Sequence, residues 1–424
     1  MAHLAAQGGT PVRTKEFPSW PIWDHREEEA LRRVLREGKW GIGSRVIKEF
    51  EEKFASTCGA KFALSCTNGT DAILIGLQAL GIQAGDEVLI PPYTFLATAI
   101  ACVMCDAVPV FVDIDPATYN MDPDGMEAAI TDRTRAIIPV HIAGNPAAMD
   151  RIMAVAQKYG LRVLEDSAQA HGAKFGDKIV GTIGHVGTWS FQSTKNVSSG
   201  EGGAVATDDE DVFDRLYSFQ NCGRVREGRW YEHHHMAGNH RLSAFQAAVL
   251  TVQLDRMEEL CVRREENAAY LGSRLHEICG VEPTAMHAGA TRHAYHLYIF
   301  RYNRAEFGGV ERRVFLKALE AEGIPCSKGY DPLYQLPAFQ NLEQSWPSIR
   351  RVASHPVDYS RTECPVCERV CGEEAVWLVQ RLLIGDRSDM DDIANAIEKI
   401  KRNVDELRGL RTALSENPGL RNSA

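Results

Sequence analysis

Short apolar runs alternate with helical stretches through the first half of the chain. Helical stretches lie between most of the early runs, for example at Asp71–Leu80 and Ala147–Tyr159. The apolar runs predict strands at Phe62–Ser65, Glu87–Ile90, Val108–Asp113, Ala136–His141, Arg162–Glu165, Gly187–Phe191 and Gly203–Thr207. This alternation predicts an α/β fold with a mostly parallel sheet and helices on its faces.

The second half of the pattern predicts a smaller α+β domain. The long periodic segment Ser243–Ile278 contains no proline and one glycine, and it predicts a helix that links two domains. Beyond it we expect a strand at Tyr295–Arg301 and helices at Arg312–Glu322 and Met390–Leu407. The expected division is a leader at 1–23, a large domain at 24–270, a small C-terminal domain at 271–408 and a disordered tail at 409–424.

The first helix has clear signals at both ends. The leader before it is irregular and rich in proline and tryptophan, with the sequence FPSWPIWD. Asp24 and Glu27 then have the spacing of a capping box, in which each side chain accepts a hydrogen bond from the other residue's backbone. Gly38 is expected to end this helix.

Composition and charge narrow the class of protein. The chain has 424 residues, of which 44% are hydrophobic and 25% charged, as in a soluble globular enzyme. A net charge of −10 argues against nucleic acid and anionic membranes as partners, since both require a basic surface. Eleven cysteines are spread along the chain, and no signal-peptide pattern begins it, so a cytoplasmic location is expected.

A candidate anion site follows the first predicted strand. Thr67-Asn68-Gly69-Thr70-Asp71 places small residues between a strand and a helix. Backbone N–H groups at a helix N-terminus can face a phosphate there. The same residues also suit an ordinary turn with a helix cap.

Two further strand ends carry ionisable side chains. Asp166 follows the buried strand Arg162–Glu165, where a carboxylate needs a positive partner such as a protonated pyridine nitrogen, although a helix cap is the alternative. Lys195 follows Gly187–Phe191 among small and apolar residues, where poor solvation lowers the pKa of an amine and makes it nucleophilic. A solvated surface charge is the alternative for this lysine. Ser190 offers a hydroxyl to a phosphate.

An aromatic side chain completes the set. Phe95 follows the strand Glu87–Ile90 and can either stack on a flat heterocycle or belong to the core. Open parallel sheets bind their ligands at the carboxyl ends of the strands. The phosphate loop, the aromatic residue, the carboxylate and the lysine therefore predict a site for pyridoxal 5′-phosphate (PLP).

With these motifs in place, the sequence resembles the DegT/DnrJ/StrS family of sugar aminotransferases, which are fold-type-I PLP enzymes. The segment from Ser190 through Lys195 and Asn196 into Gly200-Glu201-Gly202-Gly203 is highly specific to it. The likeness covers residues 8–405 and is strongest at Thr67–Ala72, Pro91–Ala97, Glu165–Gly172 and Gly187–Gly203. The resemblance implies the fold-type-I architecture, a large domain with a mostly parallel sheet and a smaller α+β C-terminal domain.

The resemblance also implies roles for individual residues. Lys195 is the Schiff-base lysine, Asp166 holds the pyridine nitrogen, and Gln169 lies beside the phenolic oxygen of the cofactor. Phe95 stacks on the ring. The phosphate is bound by Gly69, Thr70 and Ser190, with Asn239 reaching over from the neighbouring subunit of a homodimer with shared active sites. Weaker candidates for substrate contact are Trp40, Arg241, Lys328 and Tyr330.

The implied reaction moves an amino group from glutamate or glutamine to a keto-sugar or keto-cyclitol in aminosugar or aminocyclitol antibiotic biosynthesis. The segments Gly8–Arg13 and Cys364–Leu378 look most like the keto-cyclitol branch. Ala143 and Tyr334 depart from the pattern of relatives where substrate groups are expected, which leaves the acceptor open. Three alternatives share the fold: an aminohydroxybenzoate synthase, a sugar dehydratase (in which histidine replaces the lysine) and a non-catalytic regulator.

Two clusters of potential metal ligands are expected to be structural. Cys364, Cys367 and Cys371 have C-x2-C-x3-C spacing, but no fourth ligand accompanies them, so packing is favoured over zinc. The run 233–235 of three histidines lies in a polar stretch and predicts a surface loop near the subunit interface. We therefore expect no metal.

Overall fold

A computed structural model describes residues 3–353 and 357–409 of the protein. The predicted tail therefore lies outside the described residues, apart from its first position. The strands are β1 (Phe62–Cys66), β2 (Glu87–Ile90), β3 (Val108–Phe111), β4 (Thr134–Ile137), β5 (Arg162–Asp166), β6 (Lys174–Phe175), β7 (Lys178–Ile179), β8 (Val186–Ser190), β9 (Gly203–Thr207), β10 (Val281–Pro283), β11 (Ala290–Arg292), β12 (Leu297–Tyr302) and β13 (Ala375–Val379).

The helices fill the intervals between these strands and cover the sheets. They are α1 (His25–Glu37), α2 (Arg45–Cys58), α3 (Gly69–Ala79), α4 (Ala97–Met104), α5 (Pro123–Ala129), α6 (Met149–Tyr159), α7 (Glu210–Gln220), α8 (Ala244–His276), α9 (Arg312–Ala321), α10 (Pro337–Gln340), α11 (Leu342–Ser345), α12 (Ile349–Val352), α13 (Pro365–Arg369) and α14 (Arg387–Arg402). Among the described residues, none of these helices has the length and apolarity needed to cross a membrane.

A seven-stranded sheet in the order β1-β9-β8-β5-β4-β2-β3 forms the centre of the fold. Only β9 runs antiparallel to its neighbours, so the predicted α/β fold with a mostly parallel sheet is confirmed. Strands β5 and β8 are adjacent, and Asp166 pairs with Thr188. Asp166 and Ser190 therefore reach the same edge of the sheet, where their strands end.

Most of the predicted elements occur, with shifts that have local causes. Helix α1 has the predicted capping box, and Gly38 ends it in the left-handed conformation (φ 66°). The predicted strand Ala136–His141 is wrong in its bounds, because β4 leaves the sheet ladder before Pro139. Asp166 instead donates its backbone N–H to the Pro139 carbonyl at 2.9 Å, and only Val140 forms an isolated bridge to Asp166.

Some elements were not predicted or begin elsewhere. Helix α14 starts three residues before the predicted Met390, because Asp386 forms a capping box with Asp389. Helix α2, which Ser44 caps, and strand β13 had no counterpart in the prediction. Strand β13 pairs with β12, and β10 completes this antiparallel sheet of three strands.

The leader packs against the C-terminal half of the chain. Leu4 and Phe17 are buried in the same apolar core as Phe300 of β12. Arg13 is also buried, and its guanidinium donates to the carboxylates of Asp389 (2.8 Å) and Asp392 (2.7 Å). These contacts hold the leader in place up to the segment that reaches the cavity described below.

Helix α8 contributes to two cores. Its first half, from Ala244 to Cys261, packs with the helices α1 and α2 beside the central sheet. Its second half, including Leu271 and Leu275, packs in the core that contains β12 and α14. The domain division at 270/271, which falls within this helix, stays a prediction.

Candidate active site

A cavity of about 1090 Å³ opens at the carboxyl-terminal edge of the central sheet. Strand ends, the start of α3 and the paired ends of β12 and β13 surround it. From the residues predicted by sequence, the cavity is lined by Gly69, Thr70, Phe95, Asp166, Gln169, Ser190, Lys195 and Tyr330. The fold therefore brings motifs that are far apart in sequence to one site.

Lys195 lies in the tight turn that follows β8. Its backbone N–H donates to the Gln192 carbonyl at 2.9 Å. Its side-chain amine has no hydrogen bond or ion pair with any residue in the described parts of the chain. Burial lowers the pKa of this amine to about 8, and the nearby charge of Asp166 partly opposes the shift. At pH 7 roughly a tenth of this amine is therefore in the neutral, nucleophilic form, far more than for a solvated lysine.

Glu165 and Asp166 are consecutive carboxylates of β5 with opposite environments. Side chains alternate along a strand, so the two point to opposite faces. Glu165 is fully buried and accepts hydrogen bonds from His141 (3.0 Å) and from backbone N–H groups that include Gly181 (2.7 Å) and Gly184 (2.6 Å). Burial raises the pKa of Glu165, but these partners outweigh it and the net pKa is lowered. Glu165 is thus a satisfied structural anion.

Asp166 has fewer partners and faces the cavity. It accepts hydrogen bonds from the Thr98 hydroxyl (2.8 Å) and the Ala168 backbone N–H (3.1 Å). Burial raises the pKa of Asp166, and these hydrogen bonds do not compensate for it. A cation bound in the cavity would supply the missing counter-charge, which is the property required to hold a protonated pyridine nitrogen.

The start of α3 forms an anion cradle against the end of β8. Asn68 caps the helix by accepting the Asp71 backbone N–H at 2.8 Å, which leaves the N–H groups of Gly69 and Thr70 ahead of the first helical hydrogen bond. A Cβ atom on Gly69 would lie 2.7 Å from the Cβ of Ser190, so only glycine permits this close approach. The arrangement suits a phosphate group.

Gln169 connects this region to the other side of the cavity. Its amide oxygen accepts the Ala143 backbone N–H at 2.7 Å, and its amide nitrogen donates to the Tyr330 hydroxyl at 3.0 Å. Phe95 is 59% exposed, and its ring centroid lies 6.5 Å from that of Tyr330. A large apolar ring this exposed at a cavity is available to cover a flat ligand.

Comparison with known proteins identifies relatives across nearly the whole chain. A profile of the DegT/DnrJ/EryC1/StrS aminotransferase family matches residues 21–377. A Streptoalloteichus tenebrarius protein, provisionally assigned as an L-glutamine:3-amino-2,3-dideoxy-scyllo-inosose aminotransferase, is 40% identical over 96% of this chain and 100% of its own. The L-glutamine:2-deoxy-scyllo-inosose aminotransferase of that organism is 37% identical over 96% of this chain and 99% of its own.

A solved structure is also similar to this chain over nearly its whole length. The crystal structure of 3-amino-5-hydroxybenzoic acid synthase has a TM-score of 0.82 with 34% sequence identity, covering 92% of this chain and 100% of that one. The chain belongs to the DegT/DnrJ/EryC1/StrS aminotransferase family. Since these aminotransferases depend on PLP, the enzyme class, the cofactor and the fold predicted from the sequence are confirmed.

The site of this aminotransferase fits PLP in three respects. The Lys195 amine is unpaired, the Asp166 carboxylate is buried and faces the cavity, and the Gly69 cradle excludes any larger residue. These residues can hold the cofactor's aldehyde carbon, its pyridine nitrogen and its phosphate, respectively.

Several predicted contact residues lie outside the cavity of this single chain. Asn239 is exposed and forms a backbone bridge to Asn221, so its predicted reach into a neighbouring subunit stays a prediction. Trp40 packs on Phe245, with ring centroids 5.5 Å apart. Arg241 donates to the Asn221 side chain at 2.9 Å. Their roles in substrate contact also stay predictions.

Lys328 and Tyr334, which the sequence places where substrate groups are expected, bond to other protein residues. Lys328 is exposed and forms an ion pair with Asp331 at 2.7 Å. Tyr334, one of the departures from the pattern of relatives, does not line the cavity. Its hydroxyl contacts Glu368 (2.5 Å) and accepts the Cys364 backbone N–H (3.1 Å). Tyr330 alone among the four predicted substrate contacts lines the cavity.

Cavity-lining residues that sequence reasoning missed come from distant segments. Five of them are Trp20 of the leader, His296 just before β12, Trp377 of β13, and Gln380 and Arg381 in the turn after β13. Trp377 falls within the segment Cys364–Leu378 that resembles the family, and His296 lies in the run Tyr295–Tyr298, which also resembles it. No local pattern marks the other three.

The two clusters set aside as structural lie away from the cavity. Cys364, Cys367 and Cys371 are buried in the core beside α13, with the last two sulfur atoms 3.7 Å apart. Among the described residues, no group of three or more His, Cys, Asp or Glu side chains is arranged to hold a metal ion. The histidine run 233–235 is exposed, and His235 contacts the Ser218 hydroxyl at 2.8 Å.

Proposed function

We propose that this aminotransferase transfers the α-amino group of L-glutamine or L-glutamate to a neutral keto-cyclitol of the scyllo-inosose type. The observation that carries the reaction is the half-buried Lys195 amine, which has a lowered pKa and shares a cavity with the Asp166 carboxylate. The choice of substrates is supported by the two relatives named above, which are 37% and 40% identical over nearly their full lengths.

The charge of the cavity also favours a neutral acceptor. Among the described residues that line it, only Lys195 and Arg381 have cationic side chains at neutral pH, since burial holds the pKa of His296 well below its usual value. A nucleotide-linked sugar would bring a diphosphate, which needs several cationic partners. A keto-cyclitol brings hydroxyl groups and one carbonyl, which need hydrogen bonds and an aromatic surface.

Such an aromatic surface is present opposite the cofactor residues. The rings of Tyr330 and Trp377 meet edge to face with centroids 4.6 Å apart, and the Trp377 indole N–H donates to the Tyr93 hydroxyl at 2.8 Å. This hydrogen bond and the ring contact fix the orientation of the two rings, so they present a rigid face to a flat cyclitol ring.

The proposed chemistry divides among the residues as follows. Bound PLP supplies an electron sink for negative charge at the donor's α-carbon. Lys195 first holds the cofactor and, once displaced by the donor amine, accepts the proton from that α-carbon at its Nζ atom. Asp166 keeps a positive charge at the pyridine nitrogen, while Gly69, Thr70 and Ser190 hold the phosphate. In the second half-reaction Lys195 returns a proton to the carbon that bears the new amine.

Assembly and location are part of the same proposal. We infer a homodimer with shared active sites, because the exposed Asn239 matches the family position that reaches a neighbouring phosphate. A reducing cytoplasm is consistent with eleven cysteines that are all free thiols.

The test separates the two half-reactions. The enzyme is loaded with pyridoxamine phosphate and mixed with 2-deoxy-scyllo-inosose, a nucleotide-linked keto-sugar or a carboxylated keto-cyclohexene. We expect the visible absorbance of the lysine-bound cofactor to return with the cyclitol only. A response to the nucleotide-linked sugar alone would overturn the proposed acceptor. Aromatisation of the carboxylated ring without amino transfer would instead indicate a synthase of the 3-amino-5-hydroxybenzoic acid type.

A further inference from the structure

Gln380 and Arg381 form a polar patch on the wall of the cavity that the proposed chemistry does not use. They begin the helical turn Gln380–Ile384, directly after β13, and both line the cavity. Trp20 of the leader lines the same wall. The patch belongs to different elements from the phosphate cradle, which is formed by the start of α3 and the end of β8.

Arg264 of α8 sets the orientation of the Gln380 side chain. Its amide oxygen accepts two hydrogen bonds from Arg264 of α8, from Nε at 3.1 Å and from Nη2 at 2.6 Å. A guanidinium has only donors, so the amide oxygen must face it and the amide nitrogen must face away. Gln380 is 3% exposed, and its amide nitrogen has no partner among the described residues. This nitrogen is not one of the fully buried, unpartnered side-chain atoms of the described residues, so it is open to the cavity, where a ligand can supply an acceptor.

Arg264 adds positive charge behind this donor. It is 1% exposed, and no carboxylate within the described ranges lies within ion-pair distance of it. Its guanidinium lies 5.3 Å from the centroid of the Trp20 ring. Burial lowers the pKa of Arg264 to about 10, which leaves it protonated at neutral pH. Arg264 therefore brings to this wall a positive charge that no ion pair among the described residues neutralises.

Arg381 supplies a second set of donors on the same wall. It is half-buried, and one guanidinium nitrogen donates to the Pro18 carbonyl at 3.2 Å. Its other donors have no protein acceptor among the described residues. A guanidinium fork beside an amide N–H group matches the two oxygens of a carboxylate.

We propose that Gln380 and Arg381 bind the α-carboxylate of the amino donor, with Arg264 as the residue that positions Gln380. This inference rests on the proposed function. Of the two proposed substrates only the amino acid carries a carboxylate, because the keto-cyclitol is uncharged. The phosphate has its own cradle at Gly69. An anion on the opposite wall therefore corresponds to the donor.

The test removes the donor's α-carboxylate and the protein's side-chain donors, first separately and then together. The donor side is changed by replacing L-glutamine with its analogue in which the α-carboxylate is a carboxamide. The protein side is changed by Arg381→Met, with Arg381→Lys as the conservative variant and Gln380→Leu for the second donor. Arg387→Met is the matched control, because this exposed arginine at the start of α14 lies against Tyr270 outside the cavity.

The second-order rate of the donor half-reaction is followed by the loss of visible cofactor absorbance. In the unmodified enzyme the carboxamide should react about 100-fold more slowly than L-glutamine, as expected for losing a charge-assisted pair. Arg381→Met should show a similar loss with L-glutamine and no further loss with the carboxamide. Arg381→Lys should recover part of the rate, and Arg387→Met should change nothing. The acceptor half-reaction of the pyridoxamine form should be unaffected.

Other outcomes overturn the assignment in distinguishable ways. Equal losses with both donors in Arg381→Met would show that Arg381 acts without contacting the carboxylate. A loss confined to the acceptor half-reaction would place the acceptor's own anion there, such as a ring carboxylate. If the unmodified enzyme reacted with no amino acid at all, the proposed function would fail and the subsite with it.

Discussion

The two sides of the cavity are built in different ways. We define the cofactor wall as Gly69, Thr70, Asp166, Gln169, Ser190 and Lys195, and the substrate wall as Trp20, Tyr330, Trp377, Gln380 and Arg381. The cofactor wall comes from strand ends of one sheet and the turns that follow them. The substrate wall comes from the leader, the segment after α9 and strand β13 of the second sheet.

The difference lies in what fixes each wall. The cofactor wall depends on backbone geometry, such as the approach of Gly69 to Ser190 that any Cβ would block. The substrate wall depends on side-chain contacts between distant segments, such as Trp377 with Tyr93 and Arg381 with the Pro18 carbonyl. We infer that the first wall fixes the cofactor chemistry, whereas the second can vary with the substrate. Changes in the cofactor wall should therefore damage both half-reactions, and changes in the substrate wall only one.

Removing Lys195 should have the largest effect. Lys195→Ala loses both the holding amine and the proton-transfer group, so both half-reactions should slow by about 10⁴-fold. The visible absorbance of lysine-bound PLP should also be lost. Stopped-flow absorbance measures the rates, and Lys178→Ala, on the exposed strand β7, is the control. Normal transamination in Lys195→Ala would show that another group does this work.

Asp166 and Glu165 give a matched pair of substitutions on one strand. Asp166→Asn removes the charge, and its amide oxygen can still accept one of the two hydrogen bonds, so both half-reactions should slow by about 100- to 1000-fold with a small change in Tm. Glu165→Gln breaks a buried network and should lower the free energy of unfolding by about 3 kcal/mol with little effect on kcat. Calorimetry and half-reaction kinetics separate the two, and the reverse assignment of losses would contradict the account.

The pH dependence of cofactor uptake tests the environment of Lys195. The neutral amine is the reactive form, and burial lowers the pKa of the amine to about 8. The rate at which cofactor-free enzyme takes up PLP should rise roughly tenfold per pH unit below pH 8 and level off above it. An unperturbed lysine would keep gaining rate up to about pH 10.4. Absorbance after mixing at each pH measures this rate, and a rise continuing well above pH 8 would contradict the burial of Lys195.

A substitution of Tyr330, which lies on the substrate wall and bonds to Gln169 of the cofactor wall, should have the smallest effect. Tyr330→Phe removes the hydroxyl that accepts a hydrogen bond from Gln169, at a cost of about 1 kcal/mol, or about fivefold in rate. The loss should fall on the acceptor half-reaction. Tyr334→Phe removes a hydroxyl bonded outside the cavity and should lower Tm alone. Equal losses in both half-reactions of Tyr330→Phe would remove the distinction between the walls.

The same difference explains what the sequence could predict. The cofactor wall is encoded by short motifs at strand ends, so the local pattern predicts most of the strands and the gathering of Lys195, Asp166 and Gly69. Trp20 and Arg381 line the same cavity although they lie more than 350 positions apart in the sequence, and no local pattern records this. For the same reason the sequence makes Lys328 a candidate for substrate contact, whereas in the structure Lys328 forms an ion pair with Asp331.

Strand β13 shows why some secondary structure cannot be predicted from the local sequence. Its residues, Ala375–Val379, form a short apolar run that gains its identity only by pairing with β12, where Trp377 lies opposite Ile299. The turn that carries the polar patch at Gln380 depends on this pairing. The residues that line the substrate wall are therefore evident only from the three-dimensional structure.

We propose that Lys195 is the residue that holds PLP in this cavity. Borohydride reduction of the PLP-loaded enzyme fixes the cofactor to whichever lysine holds it, and peptide mass mapping then identifies the residue. We predict a single modified peptide, with the pyridoxyl group on Lys195. Modification of another lysine, with Lys195 unmodified, would contradict the account.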